Sequence, residues 1–211
     1  METGGMLIGL GNPGKEYENT RHNFGFMLID ELIRLQPGGR AAEKLSTGKK
    51  QYELWKLYLP PVHSAPWLLL KPLTYMNNSG LPATAAMSYY GISPDQVLAV
   101  HDELDIPLGE MRFKFGGGSA GHKGINSLAQ QFGSRDFYRL RLGIGKQPGE
   151  ETIAHVLGRF NAADSRVVDQ VLEAACRGLV MFNERRSMPS EAGPKALAAA
   201  QEYFNGFRLP N

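Results

Sequence analysis

The feature of this sequence that most restricts its fold is the alternation of short apolar runs with longer amphipathic segments. Residues 6–10, 97–100 and 138–144 have the length and composition of strands, the last with arginines at alternate positions. Residues 22–36 and 164–185 repeat apolar side chains every three or four positions, as amphipathic helices do. The alternation predicts a single-domain α/β/α sandwich, in which a central twisted mixed sheet is flanked by helices.

The same two periodicities predict the remaining elements. The further strands are residues 52–59, 67–70 and 111–115, and the further helices are residues 82–90, 122–132 and 195–204. Residues 38–50, 63–66 and 187–194 are expected to be connections. Asp164 is the predicted N-cap of the long helix, and the arginines at alternate positions are expected on the polar face of their strand.

Bulk properties indicate a cytoplasmic protein with a single domain over residues 1–211, because 42% hydrophobic residues can build one large core. No segment approaches the roughly 18 apolar residues of a membrane helix, so we expect no membrane partner. The start of the chain lacks the pattern of a signal peptide. The single Cys176 lies in the apolar periodicity of the long helix, which predicts an inert core thiol.

The charge of the chain is unevenly distributed, although its formal net charge is only +2. Residues 111–149 contain seven basic residues against the single acidic Asp136, a net +6, which leaves −4 for the remainder. This asymmetry favours a polyanionic partner bound on one face of the protein.

Two glycine-rich segments match motifs of nucleotide-binding proteins. Gly9-Leu-Gly11-Asn-Pro-Gly14 has the spacing of a dinucleotide-binding loop, but about ten polar residues separate it from the next helix. Gly121 is followed by His122 and Lys123, where a phosphate-binding P-loop requires lysine and then serine or threonine. Neither motif has the expected context, so we predict no nucleotide cofactor.

Gly117-Gly-Ser119-Ala-Gly121 matches the nucleophile elbow of serine esterases, and Asp136 and His155 follow in the expected order. An elbow requires its serine at the end of a buried apolar strand. The preceding residues 112–118 are basic, alternating and rich in glycine, which argues against a serine esterase.

Four polar side chains stand where α/β proteins often bind ligands, at the ends of strands or the starts of helices. Asn12 follows the first strand, His22 begins a helix, Asn77 precedes a helix and Asp102 follows a buried strand. Each of them alone has a structural explanation as a turn former or a helix cap.

In combination with their neighbours, these residues resemble the bacterial-type peptidyl-tRNA hydrolases over about residues 6–185. The matching motifs are, in order, Gly9-Leu-Gly-Asn-Pro-Gly14, Tyr17, Thr20-Arg-His-Asn23, Lys71-Pro72, Tyr75-Met-Asn77, Ser79-Gly80, His101-Asp-Glu-Leu-Asp105, Gly116-Gly-Gly118, Gly121-His122, Arg139-Leu-Arg-Leu-Gly-Ile-Gly145 and Val156-Leu-Gly158. Residues 187–211 form a C-terminal extension outside the region of resemblance. The resemblance implies hydrolysis of the ester between peptide and tRNA during the rescue of translation, without a cofactor or a metal, by a monomeric enzyme.

The resemblance also implies the catalytic residues, and the chemistry of the side chains agrees. His22 would take a proton from water, because an unperturbed imidazole has a pKa of about 6.5. Asp102 would hold the imidazole in one tautomer, and Asn12 and Asn77 would donate to the carbonyl oxygen or hold the peptide. No covalent intermediate is expected.

For binding of the peptide and the acceptor end, the resemblance implies Tyr17, Tyr75 and Met76, together with His122 and residue 123. The family has asparagine after this histidine, but here the residue is Lys123. Lysine cannot accept a hydrogen bond, so either recognition of the peptide is altered or Asn126, one turn later, partly replaces the amide.

The polyanionic partner implied by the resemblance is tRNA. Lys114 and Arg141 match family positions that bind phosphate, and Arg139 is expected on the same strand face as Arg141. Such contacts give affinity without reading bases. The alternative is an RNA-binding module without turnover, against which the intact set of His22, Asp102 and the two asparagines argues.

Overall fold

The protein forms one seven-stranded sheet within the residues that the computed structural model describes, which are 3–48, 50–60, 65–146, 149 and 151–209. The strands are β1 Gly5–Gly9, β2 Glu43–Lys44, β3 Tyr52–Leu57, β4 Trp67–Pro72, β5 Val97–Glu103, β6 Met111–Phe115 and β7 Tyr138–Gly143. The α-helices are α1 Phe24–Leu35, α2 Gly80–Tyr90, α3 Lys123–Phe132, α4 Thr152–Leu157, α5 Ala162–Ser187 and α6 Pro194–Gly206.

The order of the strands is β2-β3-β4-β1-β5-β7-β6, and the sheet is mixed. The four inner strands from β4 to β7 are parallel, while β2, β3 and β6 pair antiparallel with their neighbours. The carboxyl ends of β1, β4 and β5 therefore meet at one edge of the sheet. This edge is where Asn12, Asn77 and Asp102 follow or end their strands.

Helices cover both faces of the sheet, which confirms the predicted sandwich. Leu7 of β1 packs with residues of α1, α5 and α6, whereas Met6 and Ile8 pack with residues of α2 and α3 on the opposite face. All five residues of β1 are buried, as expected of a parallel strand between two helical layers. None of the helices in the described ranges is long and apolar enough to cross a membrane.

Most predicted elements are confirmed, with small shifts at their ends. A 3₁₀ turn at Arg21–Asn23 precedes α1, so the helix starts two residues after His22. Helix α2 ends at Tyr90, as predicted, and the next residue, Gly91, has a φ of 67°, the left-handed conformation that glycine adopts easily. Cys176 is buried in α5, and burial raises the pKa of its thiol to about 12.

Some local predictions are wrong. Asn161, not Asp164, caps α5, and its side-chain oxygen accepts a hydrogen bond of 2.8 Å from the backbone N–H of Asp164. Strand β2 and helix α4 were not predicted. The predicted connection at 63–66 falls partly on residues 61–64, outside the described residues.

The C-terminal helix α6 lies over the edge strand β6. Phe204 stacks on Phe113 with ring centroids 5.3 Å apart, and the side-chain oxygen of Asn205 accepts a hydrogen bond of 2.7 Å from the backbone N–H of Phe113. The extension therefore covers a strand edge that would otherwise be open to pairing.

Candidate functional site

Three distant segments bring His22, Asp102 and His122 together at the carboxyl edge of the sheet. His22 lies in the 3₁₀ turn before α1, Asp102 near the end of β5, and His122 at the N-cap of α3. The Nδ1 atom of His22 lies 2.9 and 3.0 Å from the two carboxylate oxygens of Asp102. The Nε2 atom of His122 lies 3.0 Å from Oδ1 of the same carboxylate.

The hydrogen bonds of this group determine the tautomers of both imidazoles. Nδ1 of His122 accepts hydrogen bonds from the backbone N–H groups of Gly124 and Ile125, at 3.2 and 3.3 Å, so the proton lies on Nε2 and is donated to Asp102. His22 donates from Nδ1 to the same carboxylate. The lone pair of His22 Nε2 is therefore available to accept a proton.

Asp102 is only 3% exposed and carries its charge between the two imidazoles. Burial alone would raise the pKa of its carboxyl, but electrostatic interaction and hydrogen bonds with His122 and His22 hold the pKa well below its usual range. Asp102 is thus an ionised, fixed acceptor that favours a proton on His22.

A third imidazole, that of His101, packs behind this group. Its ring centroid lies 4.7 Å from that of His122, and its Nδ1 donates a hydrogen bond of 2.6 Å to the backbone carbonyl of Asp102. Its Nε2 atom is buried and has no hydrogen-bond partner among the described residues. Burial, and then the neighbouring His122, lower the pKa of His101 well below its ordinary value, so the ring is neutral.

We expect His101 to make the stability of the protein fall with pH below about 6.5, the ordinary pKa of histidine. The unfolded chain binds a proton at this residue and the folded protein does not, so the free energy of unfolding decreases by up to about 1.4 kcal/mol per pH unit from this group. The carboxyl of Asp102 acts only at lower pH, because its contribution is lost as pH falls through its depressed folded pKa.

Urea unfolding at several values between about pH 7.5 and about pH 5 measures this dependence. His101→Asn is the matched control, because its amide keeps a donor for the carbonyl of Asp102 without a group that titrates. If the free energy of unfolding had the same slope against pH in the variant and the wild type, His101 would not be the group responsible.

Asn12 is held in one orientation by the backbone of Met76 and the side chain of Asn23. Its side-chain oxygen accepts a hydrogen bond of 2.8 Å from the N–H of Met76. The side chain of Asn23 accepts from the N–H of Asn12 at 2.8 Å and donates to its carbonyl at 3.0 Å. Because the oxygen of the Asn12 amide is committed, its NH₂ group is the part left to donate to a ligand.

His22, Asp102 and His122 line an open cleft with a volume of about 780 Å³. Of the predicted substrate-binding residues, Asn12, Tyr75, Met76, Asn77, His122 and Lys123 lie in its wall. Tyr17 is not among the lining residues, but its ring packs edge-on against Tyr75 with centroids 6.3 Å apart. Tyr75 is 59% exposed, whereas Met76 is buried.

Sequence reasoning missed the part of the cleft wall that helix α4 provides. Thr152, Ile153, Val156 and Leu157 line the cleft there, and Ile153 is 58% exposed. The signal was present, because Glu151 caps this short helix and the apolar residues recur at helical spacing. Helix α4 thus gives the cleft an apolar part of its wall.

Glu103, which was part of a matching motif but not a predicted site residue, lines the cleft next to Asp102 and holds Arg141. Nε and Nη2 of Arg141 lie 2.9 and 2.8 Å from Oε2 of Glu103. The carboxylate therefore neutralises part of the charge on a residue that was predicted to bind phosphate.

The predicted polar face of β7 is only half correct, because Arg139 is 1% exposed. Its guanidinium donates hydrogen bonds to the carbonyls of Gly118 and Gly117, at 2.6 and 2.8 Å. Lys114, its partner in the sheet register, reaches the same Gly118 carbonyl at 3.3 Å. Both cations are thus directed at the glycine-rich loop between β6 and α3.

Arg139 has no carboxylate partner among the described residues, which is unusual for a buried cation. Burial, followed by the charges of Arg135 and Arg141, lowers its pKa to about 10, so it remains protonated at neutral pH. The loop that it holds contains Ala120 at a φ of 49°, a conformation that costs energy for a residue with a Cβ. Arg139 fixes the carbonyls of Gly117 and Gly118 in the same loop.

Two of the three discounted glycine motifs can be compared with the structure. A Cβ atom on Gly9 would lie 2.4 Å from the carbonyl oxygen of Gly25, so the glycines let α1 pack directly on β1. Ser119 is not among the residues that line the cleft, although its neighbours Ala120 and Gly121 are. Gly9 thus serves the packing of α1, and Ser119 lies outside the wall of the cleft.

The side chains of His22, Asp102 and His122 are close enough to hold a metal ion, with ligand atoms within 4.8 Å of one another. However, the facing nitrogen atoms donate their protons to the carboxylate, which occupies these ligand positions with hydrogen bonds. The donor set therefore suits transfer of a proton better than coordination of a metal.

The fold and the cleft together indicate a hydrolytic enzyme with acid–base side chains at the carboxyl edge of its parallel strands. Residues 6–195 match the family model described as peptidyl-tRNA hydrolase. The chain belongs to this family.

Similar proteins cover almost the whole chain. A peptidyl-tRNA hydrolase of Nitratidesulfovibrio vulgaris strain DP4 is 50% identical, over 99% of this chain and 100% of its own length. That of Oleidesulfovibrio alaskensis is 49% identical, over 88% of this chain and 92% of its own. The crystal structure of peptidyl-tRNA hydrolase from Acinetobacter baumannii superposes with a TM-score of 0.82 at 29% identity, covering 99% of this chain and 98% of that one.

Proposed function

We propose that this protein hydrolyses the ester bond between the peptide and the terminal ribose of peptidyl-tRNA, with His22 as the general base. The observation that carries the proposal is the His22–Asp102 pair, whose free Nε2 lies in an open cleft. The names of the similar proteins support the substrate, and the basic segment around β6 and β7 supports a nucleic acid partner.

In the proposed reaction, Nε2 of His22 removes a proton from a water molecule, whose oxygen attacks the ester carbonyl. Asp102 stabilises the imidazolium that forms. The tetrahedral intermediate then breaks its bond to the ribose oxygen, which receives the proton from His22. The products are tRNA with a free hydroxyl and a peptide with a carboxyl group, and no bond to the enzyme forms.

Negative charge develops on the carbonyl oxygen during attack, and fixed donors lower its energy. The NH₂ group of Asn12 is preorganised to donate to this oxygen. The N–H of Met76 holds the side-chain oxygen of Asn12, and the side chain of Asn23 holds its backbone N–H. Asn77, exposed in the next turn, is the second donor or holds the peptide backbone. Each such donor contributes on the order of 3 kcal/mol in acyl-transfer sites.

The remaining cleft residues bind the peptide and the acceptor end in this proposal. The exposed ring of Tyr75, supported by Tyr17, offers a surface for stacking or apolar contact, next to Met76. Both ring nitrogens of His122 are in use, so His122 acts through its ring surface and through Asp102. We further propose that the protein acts as a monomer in the cytoplasm, where translation supplies the substrate.

For the body of the tRNA, Lys114 and Arg141 are the proposed phosphate contacts. Arg139 supports them from inside, because it fixes the loop that follows Lys114 and adds positive charge beneath it. This changes the role of Arg139 from a direct contact to a positioning residue.

Lys114→Ala is expected to weaken tRNA binding and to reduce the slope of log K against log salt by about one unit, because one phosphate contact is lost. Filter binding or anisotropy over a range of salt measures it. Lys195→Ala, on the exposed start of α6, is the matched control and should keep the slope. An affinity for tRNA that does not depend on salt would contradict the proposed contact.

The function itself is tested by a time course of N-acetyl-aminoacyl-tRNA deacylation by the wild-type protein. Release of the amino acid derivative within minutes supports the proposal. Binding of this tRNA without release would overturn it and would indicate an RNA-binding module instead.

A further inference from the structure

Lys123 stands in the wall of the cleft, next to the proposed catalytic group. It is the first residue of α3, directly after His122, and its side chain is exposed. Its backbone position is fixed relative to Asp102, because His122 bonds the first amides of α3 with one nitrogen and Asp102 with the other. The flexible side chain of Lys123 therefore extends from a fixed point in the wall of the cleft.

The positive charge of Lys123 is not neutralised within the part of the chain that the structure describes. It makes no ion pair there, and the two carboxylates that line the cleft are both engaged. Asp102 is held by two histidines, and Glu103 by Arg141. The first turn of α3 contains no acidic residue, and a cation there opposes the helix dipole. A free lysine at an unfavourable position indicates a ligand with negative charge.

The proposed substrate carries one kind of negative charge near its scissile ester. The peptide backbone and the ribose are neutral, whereas the phosphodiester that attaches the terminal nucleotide is an anion. Lysine can only donate hydrogen bonds, and it binds phosphate as a compact charge on a flexible stem. Lys114 and Arg141 do not line the cleft, so they serve phosphates further along the tRNA.

We propose that Lys123 binds the phosphodiester of the terminal nucleotide and thereby determines specificity for an acceptor end, an inference that rests on the proposed function. Asparagine, which the family has at this position, would supply hydrogen bonds without charge. Lys123 thus moves part of substrate recognition in this protein from the peptide to the nucleic acid.

The test uses a synthetic acceptor-stem RNA esterified with an N-acetyl amino acid, made in two forms. The last internucleotide linkage is a phosphodiester in one form and a neutral methylphosphonate in the other. For the wild type, the neutral linkage should lower kcat/KM about five- to tenfold, mainly through KM, as expected for loss of a charged hydrogen bond. Lys123→Gln should cause a similar loss on the phosphodiester form and no further loss on the neutral form.

Two further variants make the result specific. Lys123→Arg should keep most of the discrimination between the two forms, because it keeps the charge. Lys114→Gln is the control outside the cleft, and its effect should add to that of the neutral linkage.

The inference is overturned if the effects of Lys123→Gln and of the neutral linkage are additive, or if Lys123→Gln has no effect on either form. A wild-type protein that deacylates neither form contradicts the proposed function instead, so the two failures are distinguishable.

Discussion

His22→Ala is expected to lower kcat for N-acetyl-aminoacyl-tRNA by about 10²- to 10⁴-fold, the usual contribution of a general base. Among the described residues that line the cleft, the variant loses the one imidazole whose lone pair is free, since both nitrogens of His122 are in use. Initial rates at saturating substrate, together with single-turnover rates, measure the loss. KM should change little, because the imidazole acts on water and not on the bound substrate.

A matched control separates this mechanism from a serine esterase. Ser119→Ala should keep wild-type turnover, and a fluorophosphonate should not label Ser119. The melting temperature of His22→Ala should stay close to that of the wild type, which excludes unfolding as the cause. Undiminished deacylation by His22→Ala would refute the role of His22.

Asp102→Asn is expected to lower kcat by about 10³- to 10⁴-fold, comparable with carboxylate-to-amide changes in other histidine-based hydrolases. His22 Nδ1 contacts both carboxylate oxygens and His122 Nε2 contacts Oδ1. In the variant, an NH₂ group must replace one of these acceptors. An NH₂ group at the position of Oδ2 would face the Nδ1 proton of His22 and favour the opposite tautomer, whose Nε2 carries the proton and cannot act as a base.

The tautomer of His22 can be measured directly. The ¹⁵N chemical shifts of the His22 ring in the labelled protein should report a proton on Nδ1 in the wild type and on Nε2 in Asp102→Asn. Asp105→Asn, an exposed change in the same segment, is the control and should keep both the tautomer and the rate. Wild-type kcat in Asp102→Asn would contradict the proposed coupling.

Several features of the site could be predicted from local sequence. The short apolar run before Asn12 and the one that ends near Asp102 identify parallel inner strands, because both faces of such strands are buried. Residues at the carboxyl ends of these strands meet at one edge. The amphipathic pattern after His22 likewise identifies α1, although the 3₁₀ turn before it shifts the helix start.

Other features depend on contacts that no local pattern encodes. Alternation along β7 places Arg139 and Arg141 on the same face, yet the glycine-rich loop covers only Arg139. Arg141 pairs with Glu103 because β5 and β7 are neighbours in the sheet, although 38 residues separate the two along the chain. The short helix α4 forms a wall of the cleft only because the segment after β7 brings the chain back to the cleft.

The sequence by itself determined the α/β sandwich and the candidate residues, since side-chain periodicity and strand ends are local properties of a chain. Only the tertiary structure decided which role each of those residues has in the site. It joined His22 and His122 on one buried carboxylate, engaged the side-chain oxygen of Asn12 so that its NH₂ group is left to donate, and gave Lys123 no ion pair among the described residues. These outcomes depend on distances between segments up to 100 residues apart along the chain, which are set by packing and by competition for hydrogen bonds.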